Sequence, residues 1–321
     1  ELQLLRKLGV PSVDEVTFCV EHLFSNINLL ESGPRNETML SILVNFARIC
    51  NESKEFAVIL RDIPFVPDVE GELHKPSELY DIEIPELRLL LKDEQHVFPC
   101  EMFAAPMVLS SLRKLGLRDV LSRTTILECA SSISLIDKLD VESIRKRATC
   151  LLRYVDGHSK DLFTVPKRSL LSTLTMKSDS PSKNAAGQIE RFSQELMGIS
   201  WVPVITSNPN ENLPWRDGGV GKLETRLPRE VRPESEMWLC SYSLGILRGN
   251  IQSLYLKQFF GWDKTIDPRI VAMQLVVLGQ SYIPSEQLSR ELSIQVPKLY
   301  KSLSNSCAAN PNAIQNIKQI L

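Results

Sequence analysis

Apolar residues recur at spacings of three and four along most of this 321-residue chain, and this helical periodicity constrains the fold more than any other feature. It begins after a capping box formed by Ser12 and Glu15, which predicts a helix over residues 12–31. The same spacing recurs near residues 37–56, 85–92, 106–115, 140–155, 188–197, 251–260, 268–279, 285–292, 297–303 and 312–321. The sequence therefore predicts a mainly α fold.

Two short segments break this periodicity. Residues 63–67 read I-P-F-V-P and are followed by an Asp/Glu/Gly turn and a further apolar piece, which predicts a small β-hairpin over residues 63–74 with prolines at its edge. A similar run, I-S-W-V-P, occupies residues 199–203, and a long Pro/Asn/Gly region follows it. We expect a mainly α fold with small β-hairpin elements, of α+β type, with irregular Pro-rich connections.

The composition changes once in the middle of the chain. Residues 169–187 are rich in Ser, Thr, Lys and Asn around Pro181, which is typical of a linker. We predict a mostly helical N-terminal domain over residues 1–168, a linker over 169–187 and a mostly helical C-terminal domain over 188–321. Two domains also suit a chain of this length.

The charge balance argues against two classes of partner. The chain has 37 Lys and Arg against 39 Asp and Glu, so its net charge of -2 supplies neither the field nor the counterion release that favours nucleic acid or anionic membranes. A cationic stretch lies within residues 143–168. Residues 61–100 carry ten acidic and four basic side chains, which indicates either a docking surface for a basic partner or, as we favour, a solvated face. No apolar run approaches the roughly 20 residues that span a bilayer.

Cysteine and histidine usage excludes two kinds of site. Seven Cys are scattered without a C-x-x-C pair, which is neither a disulfide framework nor a zinc pattern. They indicate buried thiols in a reducing compartment, so we expect a cytoplasmic protein. The four His, at positions 22, 74, 96 and 158, lie on separate segments without ligand spacing. We predict no metal site.

One motif raises an alternative function. Asp217, Gly219 and Gly221 match D-x-G-x-G, the adenine-contacting element of the Bergerat ATP-binding fold, in which Asp binds the adenine amino group. No upstream helix carries the matching E-x-x-x-N magnesium motif, and a Gly turn in a Pro-rich region explains the same letters. A nucleotide-binding, ATPase-related domain using these three residues is therefore the alternative. No catalytic residue and no cofactor is assigned.

An ordered set of motifs points to a family. I-P-F-V-P-D at residues 63–68 precedes G-E-L at 71–73, K-P-S-E-L-Y-D at 75–81, F-P-C-E at 98–101 and L-R-K-L-G-L at 112–117. L-P-W at 213–215 and R-P at 232–233 form a second anchor. The set resembles the repeat region of the sacsin-like family of giant chaperone-related proteins. Ile82 departs from the family pattern, in which proline is usual after Tyr-Asp.

The resemblance implies a function without catalysis in this segment. It implies a piece of a very large multi-repeat protein, downstream of a Bergerat-type ATPase module, and the absence of an initiator Met favours the same view. The expected role is that of a non-enzymatic structural and interaction segment of a co-chaperone in protein folding and quality control. The implied partners are heat-shock chaperones, unfolded client proteins and the adjacent ATPase module of the parent chain. A spacer that sets the distance between ATPase modules is a further possibility.

Overall fold

Helices account for most of the chain in the computed structural model, which describes residues 15–135, 140–164, 181–205, 223–247, 249–281, 286–309 and 312–320. The predicted fold class, mainly α with small β elements, is confirmed. The chain divides into two compact units, unit 1 with residues 1–121 and unit 2 with residues 122–321.

Unit 1 contains six α-helices and one hairpin among its described residues. The elements are α1 (Glu15–Phe18), a π-helix (Cys19–Leu23), a 3-10 helix (Phe24–Leu29), α2 (Ser32–Val44), α3 (Phe46–Glu52), α4 (Lys54–Arg61), β1 (Val66–Pro67), β2 (Leu73–His74), α5 (Pro85–Leu90) and α6 (Pro106–Leu115). Further 3-10 turns are Pro76–Glu78, Gln95–Val97 and Glu101–Phe103. β1 and β2 pair antiparallel, which confirms the predicted hairpin.

The long helix predicted over residues 37–56 is wrong in its bounds. Three helices replace it, and the breaks fall at two polar residues. Asn45 leaves helical geometry at φ -92° and ψ 8°, and its Nδ2 donates to the Ser41 carbonyl at 2.9 Å. Ser53 is extended and separates α3 from α4. Asn and Ser side chains compete with the helical backbone for hydrogen bonds, which explains both breaks.

The core of unit 1 joins the helices to the hairpin. Met39, Leu43, Phe56, Phe65 and Leu112 are completely buried in one cluster. α2 and α6 are also linked by a buried hydrogen bond, because the Ser111 hydroxyl donates to the Leu43 carbonyl at 2.7 Å. α6 ends where the sequence predicts, since Gly116 has a left-handed φ of 104° that glycine adopts without steric cost.

Unit 2 combines helices with a four-stranded sheet. Its elements are α7 (Arg123–Leu135), α8 (Val141–Gly157), α9 (Ser159–Phe163), α10 (Pro181–Met197), β3 (Val202–Ile205), β4 (Leu223–Arg226), β5 (Val231–Arg232), α11 (Met237–Cys240), β6 (Gly245–Leu247), α12 (Leu254–Phe260), α13 (Pro268–Ser281), α14 (Glu286–Ala309) and α15 (Asn312–Lys318). Two 3-10 turns, Pro228–Glu230 and Glu234–Glu236, flank β5. The predicted cap at Asp140 is confirmed, because its Oδ1 accepts from the Ser143 N–H at 3.1 Å.

The sheet of unit 2 has the order β4-β3-β6-β5. β3 pairs antiparallel with β4 and β6, whereas β5 and β6 run parallel. Gly245 opens β6 where the strands approach closely, since a Cβ added there would lie 2.8 Å from Val204 Cγ1. Trp201 is fully buried just before β3 and donates from Nε1 to the Leu196 carbonyl at 3.2 Å.

Two further predictions meet the structure in unit 2. The predicted linker, residues 169–187, falls inside this unit; residues 181–187 belong to α10, and residues 169–180 lie outside the described part. The helices predicted at 285–292 and 297–303 form one helix, α14, with Pro297 inside it. Of the helices described, none combines the length and the apolar character that crossing a bilayer requires.

Candidate functional site

The family-like motifs of unit 1 converge on one region, which we call the motif junction: residues 63–83, 97–103 and 112–118. Backbone hydrogen bonds join its parts. The Cys100 N–H donates to the Pro67 carbonyl at 2.9 Å, and the Tyr80 N–H donates to the Val97 carbonyl at 2.9 Å. Tyr80 also forms an isolated parallel bridge with Arg118. Segments up to about 40 residues apart in sequence therefore meet through main-chain contacts.

An ion-pair cluster lies at the centre of the motif junction. Asp81 is 1% exposed, and its Oδ2 accepts from Arg113 Nε at 2.5 Å, while its Oδ1 accepts from the Glu83 N–H at 3.0 Å. Arg113 Nη2 donates to Glu83 Oε2 at 2.5 Å. The hydrogen bond to Asp81, followed by that to Glu83, raises the pKa of the Arg113 guanidinium, so this group is always charged.

Arg118 makes a second connection across the junction. Its Nε donates to the Ser77 carbonyl at 2.5 Å, and its guanidinium lies 5.5 Å from the centre of the Tyr80 ring. A cation over an aromatic face is attracted by the ring quadrupole. The two arginines thus hold the S-E-L-Y-D segment against the end of α6.

A carboxylate and a histidine organise the hairpin turn. Asp68 Oδ1 accepts from the N–H groups of Glu70 and Glu72 at 2.8 and 3.0 Å, and His74 Nε2 lies 3.1 Å from Asp68 Oδ2. Burial acts to raise the pKa of Asp68, but the hydrogen bonds from His74, Glu70 and Glu72 outweigh it and the pKa is lowered. The Asp68 carboxylate therefore stabilises the turn in its ionised form.

The same residues bring together groups that are common metal ligands. Ligand atoms of Asp68, Glu72 and His74 lie within 4.8 Å of one another. Both oxygens of Asp68 are engaged in the turn, which accounts for the grouping through hairpin geometry. The prediction of no metal site stays a prediction.

Acidification tests the role of Asp68. Because its folded-state pKa lies below the ordinary value, the stabilisation is complete above about pH 4 and is lost as the pH falls through the folded-state pKa. We expect Asp68→Asn to destabilise the hairpin by about 1–2 kcal/mol at pH 7 and by less near pH 3, which lies below the ordinary pKa of the carboxyl. Hydrogen exchange of residues 63–80, corrected for intrinsic rates, measures this difference. The exposed Asp119→Asn is the control, and an effect of Asp68→Asn that is equal at both pH values contradicts the assignment.

The nucleotide-binding alternative concerns residues that the structure does not describe. Asp217, Gly219 and Gly221 lie within residues 206–222, outside the described part, as does the L-P-W anchor at 213–215. The R-P anchor is described. Arg232 Nη1 donates to the carbonyls of Gly261 and Lys264 at 3.1 and 2.9 Å and thereby holds the turn after α12.

Two of the described thiols, those of Cys50 and Cys240, are not activated nucleophiles. Burial, followed by the charge of Glu236, raises the pKa of Cys240 to about 12, and burial also raises the pKa of Cys50. Since the thiolate is the reactive form, both groups are inert at neutral pH. None of the seven cysteines, all of which lie in the described part of the chain, forms a disulfide, and Cys19, Cys129 and Cys240 are buried.

Comparison with known proteins gives one significant similarity. No family model and no solved structure matches the chain. A stretch of 174 residues, 54% of the chain, is 24% identical to a part of human sacsin. The chain is distantly similar to sacsin. The match covers 3% of the length of the human protein, so what sacsin does as a whole comes to this chain only as a proposal.

The similarity to sacsin and the sequence motifs point to the same family. The structure also shows contacts in the motif junction that the motifs did not predict. We favoured a solvated face for the acidic segment 61–100, but Asp68 and Asp81 are buried and serve as internal acceptors. His74 lies on a segment separate from the other histidines, but it contacts Asp68 across the hairpin. The available sequence signal was the hairpin predicted over residues 63–74, because the two strands of a hairpin bring residues on either side of its turn close together.

Proposed function

We propose that this chain is a non-enzymatic structural and interaction segment of a sacsin-like co-chaperone. It belongs to a repeat region downstream of a Bergerat-type ATPase module and works in the cytoplasm. Its partners are heat-shock chaperones, unfolded client proteins and the adjacent ATPase module of the parent chain. The distant similarity to human sacsin supports the family.

One observation carries the non-enzymatic part of the proposal. Polar side chains of the motif junction form hydrogen bonds within unit 1 that hold its segments together. The residues that do so are Asp68, Asp81, Arg113 and Arg118. General acid–base and nucleophilic catalysis instead require groups that face a substrate. The motifs that carry the family resemblance therefore serve to build a stable module.

Client protection is the direct test. We expect the chain, at equimolar ratio, to reduce the light scattering of a thermally unfolding client such as citrate synthase several-fold relative to an equal mass of serum albumin. Joining the chain to its ATPase module is expected to change the ATP hydrolysis rate of that module, measured by phosphate release. A linker of equal reach but unrelated sequence is the control for a spacer. If the chain neither reduces scattering nor changes hydrolysis beyond that linker, the proposal is wrong.

A further inference from the structure

An apolar groove lies on unit 2, apart from the motif junction. α10 contributes Ala186, Ile189 and Met197 to its lining, while Phe163 at the end of α9 and Phe259 of α12 complete the apolar wall. Its volume is about 610 Å³, within the range of sites that bind ligands of drug or peptide side-chain size. We call it the α10 groove.

The floor of the α10 groove is an aromatic cluster. The rings of Phe163 and Phe259 are stacked with centroids 4.3 Å apart, and Phe259 contacts Phe260 at 5.4 Å. Beneath them Phe192, Phe260 and Trp201 are buried. Because these lower rings are held in the core, the two upper rings present a preformed apolar surface, and binding requires little reorganisation.

Two polar groups of α10 give the groove a chemical preference. Ser193 lines it, is 7% exposed, and its Oγ has no hydrogen-bond partner among the described residues. Glu190 lines it as an exposed carboxylate and forms no ion pair with any residue that the structure describes. By contrast, the neighbouring Glu195 is paired with Arg191 at 2.7 Å. An occupant that combines an apolar side chain, a backbone polar group and a positive charge matches these features.

We propose that the α10 groove binds unfolded polypeptide, with a large apolar side chain on the Phe163–Phe259 surface and an adjacent Lys or Arg against Glu190. A polypeptide supplies all three chemical groups, including main-chain N–H and C=O groups for Ser193. The apolar lining residues are half-buried or exposed, so a chain enters without local unfolding. This inference rests on the proposed function and identifies where clients bind.

A fluorescein-labelled peptide tests the groove directly. In the probe, one leucine and one neighbouring arginine interrupt a glycine–serine chain, and anisotropy is measured as the full chain is added. We expect saturable binding that Ile189→Asp weakens about tenfold or more, because the aspartate removes apolar surface that covers the leucine side chain and places a charge there. A probe with serine in place of leucine is expected not to bind.

Charge selectivity is tested with a matched pair of variants on the same helix. Glu190→Gln is expected to weaken the arginine probe about two- to fivefold and to leave a glutamine-containing probe unchanged. Glu195→Gln is the control, because that carboxylate is occupied by Arg191. Ala186→Lys, at an exposed position, tests the apolar surface without removing a core side chain, so the proposal stays testable if Ile189→Asp does not fold.

The outcomes separate the groove from the proposed function. Binding that Ile189→Asp and Ala186→Lys leave unchanged, or no binding up to about 1 mM, overturns the groove even if the chain suppresses client aggregation. Binding in the groove without any reduction of light scattering instead contradicts the proposed function alone. A concentration-dependent dimer in analytical ultracentrifugation that Ala186→Lys dissociates makes the groove an interface between two copies and overturns client binding.

Discussion

Replacing Arg113 with methionine is expected to lower the free energy of unfolding of unit 1 by about 2–4 kcal/mol. Methionine retains the apolar stem but removes the donors to Asp81 and Glu83. The Asp81 carboxylate, with its side chain 2% exposed, then keeps the hydrogen bond from the Glu83 N–H but remains buried without its counter-charge. This loss of stability is smaller than that expected for a fully buried ion pair, because the Arg113 side chain is 41% exposed.

Hydrogen exchange measures the Arg113 effect within unit 1. All four tryptophans of the chain belong to unit 2, so tryptophan fluorescence does not report on the motif junction. We expect the most protected amides of residues 106–117 to exchange roughly 30- to 1,000-fold faster in Arg113→Met. Arg88→Met is the matched control, since Arg88 is exposed at the end of α5, and it is expected to change stability by less than about 0.5 kcal/mol. Equal effects of the two variants show that the Asp81–Arg113 ion pair does not stabilise unit 1.

A double-mutant cycle assigns the energy to the pair. Asp81→Asn alone is expected to destabilise unit 1, but it is expected to add little once Arg113 is methionine, because the interaction has already been lost. Additive effects contradict a direct coupling between these side chains. The cycle thus distinguishes the ion pair from a general need for polar side chains at both positions.

Local signals in the sequence predicted the parts of the fold that depend on a few neighbouring residues. Gly116 ends α6 because only a residue tolerant of positive φ fits there, and Asp140 caps α8 through its own side chain. The hairpin at 63–74 follows from its turn and edge prolines. Such features are decided within one or two turns of chain, so sequence patterns identify them.

Contacts between distant segments were not predictable in the same way. The Asp81–Arg113 pair joins residues 32 positions apart, and the α10 groove joins Phe163, Ile189 and Phe259 from three separate helices. Periodicity assigns each of these residues a local environment but not a partner. A charged segment such as 61–100 is therefore open to interpretation as solvated until its tertiary contacts are known.

Some helix boundaries were predicted wrongly, because single residues and the packing around them decide where a helix ends. Asn45 and Ser53 interrupt the second predicted helix, although both lie inside a continuous apolar pattern. At Pro297 the error has the opposite sense, because two helices were predicted there and α14 continues through the proline. Proline costs a helix about 3 kcal/mol, and burial of side chains such as Leu299 and Leu303 on the same helix offsets that cost.

Gln274 is expected to be essential for unit 2, and its replacement by leucine is expected to lower the free energy of unfolding by about 3 kcal/mol or more. This residue is completely buried in α13, where its Oε1 accepts from the Tyr242 N–H at 2.9 Å. Its Nε2 donates to the Trp238 carbonyl at 3.0 Å and to Ser241 Oγ at 3.2 Å. Leucine fills similar space but cannot make these hydrogen bonds, and each bond that a buried group such as Gln274 loses costs about 1–3 kcal/mol.

Tryptophan fluorescence during urea unfolding measures the Gln274 effect, since Trp201, Trp238 and Trp262 lie in the described part of unit 2. Gln280→Leu is a matched control on the same helix at an exposed position and is expected to change stability by less than about 0.5 kcal/mol. A Gln274→Leu variant as stable as Gln280→Leu means that the turn after α11 does not depend on this amide. A loss confined to Gln274→Leu instead shows that one buried side chain ties α11 and the turn after it to α13, because the four groups it bonds all lie within residues 237–242.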